Sequence, residues 1–369
     1  MAESVSKNDN AVLPKQDGIV LLAKKSGLTS FSSLNNVKKA LHTGKVGHTG
    51  TLDSFAQGLL VVCVGKMTKL VSHITEFDKT YLAVIKFGEE TDTLEYTGSV
   101  IKTSELPLLE DLKKSLTHFT GELLQSPPAF SAVHVDGKRA SDLARKGIEV
   151  EIPKRKITVF STNLKDYQLE ESSGRVLYAL VEFSVSKGTY IRSLARDIAK
   201  DAKSAGHLTG LLRTKVGKFL LSDAAGKDLL NDFTIENAKK EAARFLENQK
   251  KNAWKKEFFW GEGAFKKECL KEGYAPSKED LFLQKEIQDK ITGFSEETSL
   301  LCGFFNVHLK SESAFLDFKN GKKLSCSLFE EFIRQDGMEK NLAVFYNGTF
   351  AGLVKSGGNK KLSYVFVSA

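Results

Sequence analysis

The four cysteines of this sequence, Cys63, Cys269, Cys302 and Cys326, form no C-x-x-C pair. That argues against a zinc or disulfide framework and suits a reducing cytosol. No window approaches the roughly 18 uninterrupted apolar residues of a membrane-crossing helix. The opening stretch, MAESVSKNDNAVLPKQDG, has no apolar h-region. It reads as a polar, disordered lead-in over residues 1–15 rather than a secretory signal. The phosphate-cradling spacing G-x-x-x-x-G-K-[ST] is missing, because Gly58 and Gly65 are too far apart and Met67 follows Lys66. There is no dinucleotide fingerprint and no clustered His/Cys set, so neither a cofactor nor a metal is expected. No internal repeat of about 20 to 50 residues occurs, which sets aside solenoids and propellers.

What remains is a chain of 369 residues with 41% hydrophobic content, enough for at least one full core and for two domains. The net charge of +8 favours an anionic partner, nucleic acid first, although a soluble basic protein would look the same. The most informative stretch is Gly44 to Leu70, GKVGHTGTLDSFAQGLLVVCVGKMTKL. It begins as a Gly-, Thr- and His-bearing loop with one carboxylate, Asp53, and runs into the apolar series Leu59 to Val64. An apolar run of about six residues bounded by glycines reads as a buried strand. On residue types alone Asp53 is either a turn-former bonded to its own backbone or a reactive group held on a rigid support.

The order of residues adds to this. GHTGTLDSFAQGLLVVCVGKMTK resembles the signature GHTGxLDPxAxGxL of the bacterial tRNA pseudouridine-55 synthases of the TruB type, with Ser54 where that family usually has Pro. Two further stretches follow in the family's order. SKGTYIRSLARD, around Tyr190 and Arg192, resembles its second motif. GHLTGLLRTKVGKF, Gly206 to Phe219, resembles HLxxLRRTxxGxF with Leu212 in place of an Arg. EETDTLEYTG matches GxxTDTxDxxG with Glu95 where Asp is usual, and SPPAFSAVHVDGKRASDLARKG resembles a loop and short helix that close over RNA. Together the resemblance spans about residues 16 to 222.

The resemblance implies an α+β pseudouridine-synthase fold, a central mixed or antiparallel sheet flanked by helices, in a catalytic domain over residues 16–230. It implies isomerisation of uridine 55 in the T arm of tRNA by base flipping and glycosidic bond exchange, without cofactor. Cysteine usage and the lack of a signal add the expectation of a cytoplasmic protein, and a monomer is expected without any residue pattern to fix it. Asp53 would be catalytic and paired to Arg192. Tyr81 and Leu211 would sandwich the extruded base, Tyr190 would line the pocket, and His48 would fill the space the base vacates. Lys138, Arg139, Arg145 and Lys146 suit phosphate contacts or a plain solvated face, and Lys24, from a basic turn, is counted with the RNA-binding set. Two rivals stand beside this reading. One is a guide-RNA-dependent synthase, which usually shows a basic C-terminal tail not seen here; the other is an RNA-binding or tRNA-folding protein in which modification is secondary.

Local signals fill in the rest. Gly18 to Ala23 reads as a first strand. Ser30 is expected to cap a helix whose apolar positions are Phe31, Leu34, Val37 and Leu41. Residues 231–298 are rich in Lys and Glu and read as a charged helical insertion or linker holding Trp254 and Trp260. Residues 299–369 resemble a small PUA-like β-domain, with Asn320-Gly321 and Asn347-Gly348 as hairpin signals.

Overall fold

The computed structural model describes residues 17–131, 133–135, 137–148, 152–259, 276–330, 340–357 and 362–368. The lead-in 1–15, Trp260, and the side chains of Arg139 and Trp254 lie outside what it describes. The chain folds around a nine-stranded mixed sheet. Its main path runs β1 (Gly18–Lys24), β3 (Gln57–Val64), β12 (Gly206–Val216), β4 (Lys79–Phe87), β11 (Val176–Val185), β10 (Arg155–Leu169) and β7 (Gly121–Gln125). Short β2 (Val46–His48) pairs with β3, and β13 (Phe219–Leu220) with β12. Only the brief β12–β3 contact in this path is parallel. Two ribbons, β5 (Glu89–Thr91) with β6 (Val100–Thr103) and β8 (His134–Val135) with β9 (Lys138–Arg139), stand apart.

The helices are α1 (Ser30–Ala40), α2 (Val71–Thr75), α3 (Leu109–His118), α4 (Ala140–Ala144), α5 (Ile191–Asp201) and α6 (Ile235–Phe259), then α7 (Lys278–Lys290), α8 (Glu296–Leu301) and α9 (Glu312–Lys319). The fold class is thus α+β, with a second, four-stranded sheet near the C-terminal end: β14 (Phe305–His308), β15 (Lys340–Tyr346), β16 (Thr349–Ser356) and β17 (Leu362–Val367). Among the described residues no helix is long and apolar enough to cross a membrane.

Strand β3 explains itself. Every residue from Leu59 to Val64 is fully buried, because both faces of the strand are covered and alternation has nothing to gain. Leu60, Val62 and Val64 pack against Leu34 and Val37 of α1 and Ile287 of α7. Leu59, Val61 and Cys63 face the other way, into a cluster that includes Phe294, Phe304 and Phe345. The C-terminal sheet therefore shares a core with the main one. His73 reinforces that seam, stacking on Phe304 with centroids 4.5 Å apart and placing Nε2 2.8 Å from the Cys302 carbonyl.

Several local expectations are corrected. The cap of α1 is Thr29, whose hydroxyl accepts from Ser32 N; Ser30 is the first helical residue. Its hydroxyl instead bonds both the N–H and the carbonyl of Leu52, at 2.8 and 3.0 Å. Phe31 points to solvent, 69% exposed, and Ala40 takes its place on the buried stripe. Asn347-Gly348 does turn a hairpin between β15 and β16, both residues having positive φ. Asn320-Gly321 ends α9 instead: Gly321 sits at φ 67°, and Lys322 N closes onto the Asp317 carbonyl. A positive-φ glycine serves a helix end as well as a hairpin, so the dipeptide cannot distinguish them. Residues 278–292, expected within an insertion or linker, pack on α1 and β1, and Thr292 pairs with Ile19 across the sheet edge.

Candidate active site

Asp53 sits on the loop between β2 and β3, and the loop is held by cations. Arg192, in the first turn of α5, places Nε 2.9 Å from Oδ2 and donates from Nη2 to Oδ1 at 3.2 Å. Its side chain is 6% exposed against 38% for Asp53, so the arginine is sequestered while the carboxylate keeps one side open. The remaining donors reach two other segments: Nη1 to the Thr93 carbonyl and Nη2 to that of Phe130, both 3.0 Å. A buried guanidinium needs this many acceptors to offset its lost hydration.

Arg213 on β12, 1% exposed, donates to the carbonyls of Leu59 (2.7 Å) and Gly50 (3.1 Å). Gly58, at φ 112°, lets the chain pass so close to Arg213 that an added Cβ would lie 2.4 Å from its carbonyl oxygen; a side chain there would push strand and loop apart. Lys24 corrects an expectation. It is 1% exposed and its Nζ donates to the carbonyls of Ala56 (2.5 Å), Lys25 (3.1 Å) and Ser54 (3.4 Å). Turned inward, it braces the loop and is not placed to meet a phosphate.

Tyr81 and Leu211 are brought together. They are 8% and 5% exposed and share one apolar cluster with Leu52, Phe55 and Ala56 of the Asp53 loop. Antiparallel pairing of β12 with β4 sets Leu211 opposite Ala83 and Arg213 opposite Tyr81. Tyr190 is the N-cap residue of α5, two before Arg192. Gln125 fixes its backbone, donating from Nε2 to the Tyr190 carbonyl at 3.0 Å and accepting from its N–H at 2.9 Å. His48 lies on β2 opposite Val62. Burial, then the charge of Arg213, hold its pKa below the usual histidine value, so it is a neutral ring near pH 7. Lys138 is exposed at the ribbon, and Arg145 is exposed in an ion pair with Asp142 at 2.9 Å; neither touches the Asp53 cluster.

Sequence reasoning passed over Gln125, Arg213 and the aromatic wall behind the loop. In that wall Tyr96 meets Phe55 edge-on, and Phe245 of α6 meets Tyr96 the same way, centroids 5.8 Å apart in each pair. Arg213 lies inside the third motif, where a signal existed; Gln125 and Phe245 had none. Among the described residues no group of three or more His, Cys, Asp or Glu side chains is placed to hold a metal.

Glu95 is the titratable surprise. Burial raises its pKa to about 7, the Thr97 hydroxyl bond and the charge of Arg192 oppose this, and Asp53 adds to it. Its folded pKa lies above the unfolded value, so the folded state holds the proton longer. Stability therefore falls as pH rises from 4.5 to about 7. Lys24 acts in a different window. Burial lowers it from 10.5 to about 7, so its penalty, complete below pH 7, is lifted as pH rises to 10.5. Glu95→Gln keeps the acceptor for Thr97 and removes the ionisation. It should stabilise the protein at pH 7.5 by on the order of 2 kcal/mol and by almost nothing at pH 4.5. Denaturant midpoints of both proteins at the two pH values check this; equal gains at both would remove the titration of Glu95 as the cause.

Comparison with known proteins places the chain in a family. Residues 38–191 match the model of the TruB family pseudouridylate synthase N-terminal domain. The class is therefore that of the pseudouridine synthases, uridine isomerases. A Treponema denticola protein named tRNA pseudouridine synthase B is 40% identical over 356 residues, covering 91% of this chain and 89% of that one. A Borreliella burgdorferi protein of the same name is 48% identical over 210 residues, 57% of this chain and 73% of that one. The chain belongs to the TruB family. A chain in the crystal structure of a Cbf5-Nop10-Gar1 complex shares the fold, with TM-score 0.58 at 20% identity over 100% of this chain and 91% of that one.

Proposed function

We propose that the protein converts uridine 55 in the T arm of tRNA to pseudouridine, with Asp53 as the catalytic carboxylate. The observation that carries this is the half-open ion pair: Asp53 is clamped by a sequestered arginine beside an apolar cluster holding Tyr81 and Leu211. The names of the 40–48% identical relatives support tRNA as the substrate.

The reaction breaks the bond from C1′ of the ribose to N1 of uracil, turns the base, and joins C1′ to C5. N1 gains a proton and C5 loses one, so atoms balance without any donor or oxidant. The fixed carboxylate serves as nucleophile or as base toward the sugar, and either role depends on its aim. Tyr81 and Leu211 offer apolar surface to a base taken out of its stack, an extrusion that costs a few kcal/mol. Tyr190 would line the pocket and neutral His48 would fill the gap left in the RNA. Lys138, Arg139 and Arg145 remain the proposed phosphate contacts.

Because C5 loses its hydrogen, tritium at C5 of uridine is released to water in proportion to product. Purified protein should release tritium from a labelled tRNA transcript and not from one carrying cytidine at position 55. Equal release from both transcripts would defeat the position-55 assignment.

The clamp makes its own prediction. Arg192→Lys should retain roughly 1–10% of the rate, because a single ammonium cannot serve two carboxylate oxygens and the carbonyls of Thr93 and Phe130 together. Arg192→Ala should be lower still. Single-turnover rates with saturating protein separate this from weaker binding. Full activity in the lysine variant would show that charge alone is needed.

A further inference from the structure

One cation beside this site has no use in the account above. Arg155 begins β10 and is the register partner of Gln125 on β7. One rung of the sheet thus meets Tyr190 twice: Gln125 holds its backbone, and the Arg155 guanidinium lies 4.4 Å over the centre of its ring. The edge of that guanidinium is unserved. Nε and Nη2 are closed to solvent and have no acceptor among the described residues. Among the described residues no carboxylate pairs with Arg155. Burial accordingly lowers its pKa, opposed only by Tyr190.

Buried donors without acceptors are costly and rare, and a native protein tolerates them where a ligand completes them. Nε and Nη2 form the side-on fork of a guanidinium, whose two parallel N–H bonds fit two oxygens of a single oxyanion. A base carbonyl would fill only half of it. An RNA substrate brings one group of the right shape and sign to the neighbourhood of Tyr190, the phosphodiester. We propose that Arg155 binds a backbone phosphate next to the extruded uridine through Nε and Nη2 while its face rests on Tyr190, tying strand grip to pocket wall. This rests on the functional reading above. Arg155 is part-buried overall, and the proposed contact requires its long side chain to roll so that the fork, closed in the free protein, faces the strand.

The test is a coupling cycle on a T-arm stem-loop tritiated at C5 of the target uridine. Each phosphate from two residues before the target to two after is replaced singly by an uncharged methylphosphonate. Wild type is compared with Arg155→Gln, which keeps a stem over the ring and loses the fork, and with Arg155→Lys, which keeps the charge. At one linkage, neutralisation should lower wild-type kcat/KM about tenfold or more and should cost Arg155→Gln less than twofold, with Arg155→Lys between. If the two losses multiply at every linkage, Arg155 merely props Tyr190 and the proposal is overturned. It is equally overturned if no single linkage costs wild type more than threefold, a readout that survives even if Arg155→Gln fails to fold. Wild type inactive on the unmodified stem-loop would instead sink the functional reading, and this contact with it.

Discussion

Asp53→Asn should lose at least about 10⁴-fold in turnover, the scale on which removal of a reacting group acts, while tRNA affinity stays within a few fold. The amide matches the carboxylate in size and can still accept from Arg192, but it can neither attack a sugar carbon nor take a proton. Binding is proposed to rest on stacking and on phosphate contacts spread over a wider surface. The substitution also leaves Arg192 without its carboxylate, and a buried guanidinium so stripped is destabilising. The half-exposed position of Asp53 and the carbonyls of Thr93 and Phe130 soften this. The variant should therefore melt only slightly early. Tritium release, filter binding and a thermal melt on the same preparation separate the three effects. Turnover above about 1% in a folded variant would take Asp53 out of its proposed role.

Removal of everything after residue 230 should leave no folded enzyme. The three motifs all lie upstream, and a reading of the sequence alone would place the whole catalytic core there. The packing shows otherwise. Ile287 is fully buried against strands β1 and β3 and helix α1, and Phe294, Cys302 and Phe304 are 8%, 0% and 4% exposed beneath the opposite face of β3. At about 1.5–3 kcal/mol per large apolar side chain, these contacts alone approach the 5–15 kcal/mol by which a typical domain is stable. The truncated chain would also lose part of the cover on both faces of β3, a strand buried at every residue. Insoluble expression, or a soluble product with no cooperative melt, is the expected outcome. A soluble fragment with a sharp transition and activity on a T-arm stem-loop would show that the shared core is dispensable.

Much of this was legible in the sequence. The apolar series Leu59 to Val64 announced a strand covered on both sides, and the regular spacing of Ile191, Leu194, Ala195 and Ile198 announced α5. The pairing of Asp53 with Arg192 came only through resemblance, since 139 residues separate them and no periodicity links points so distant. What stayed hidden was direction. A lysine is exposed by default, and nothing local marks Lys24 as one turned inward to carbonyls. Phe31 erred the opposite way, apolar yet exposed. The burial of α7, a stretch read as helical, was hidden by dilution: Leu283, Ile287 and Ile291 make a buried or half-buried stripe, but the surrounding charges made the segment read as solvated.

The three buried cations around the Asp53 loop grip mostly main chain: the carbonyls of Gly50, Ser54, Ala56 and Leu59, and beyond the loop those of Thr93 and Phe130. A scaffold tied by its carbonyls does not depend on the side chains it passes. Outside Gly58 and the buried Leu52, Phe55 and Ala56 the loop's shape is thereby uncoupled from its spelling, so its other letters can change while the trace stays fixed. Ser54, standing where the signature that the loop resembles has a proline, is one such letter. The burden of inheritance falls on Lys24, Arg192 and Arg213, far apart in the chain, and on the one loop side chain that the clamp itself reads, Asp53.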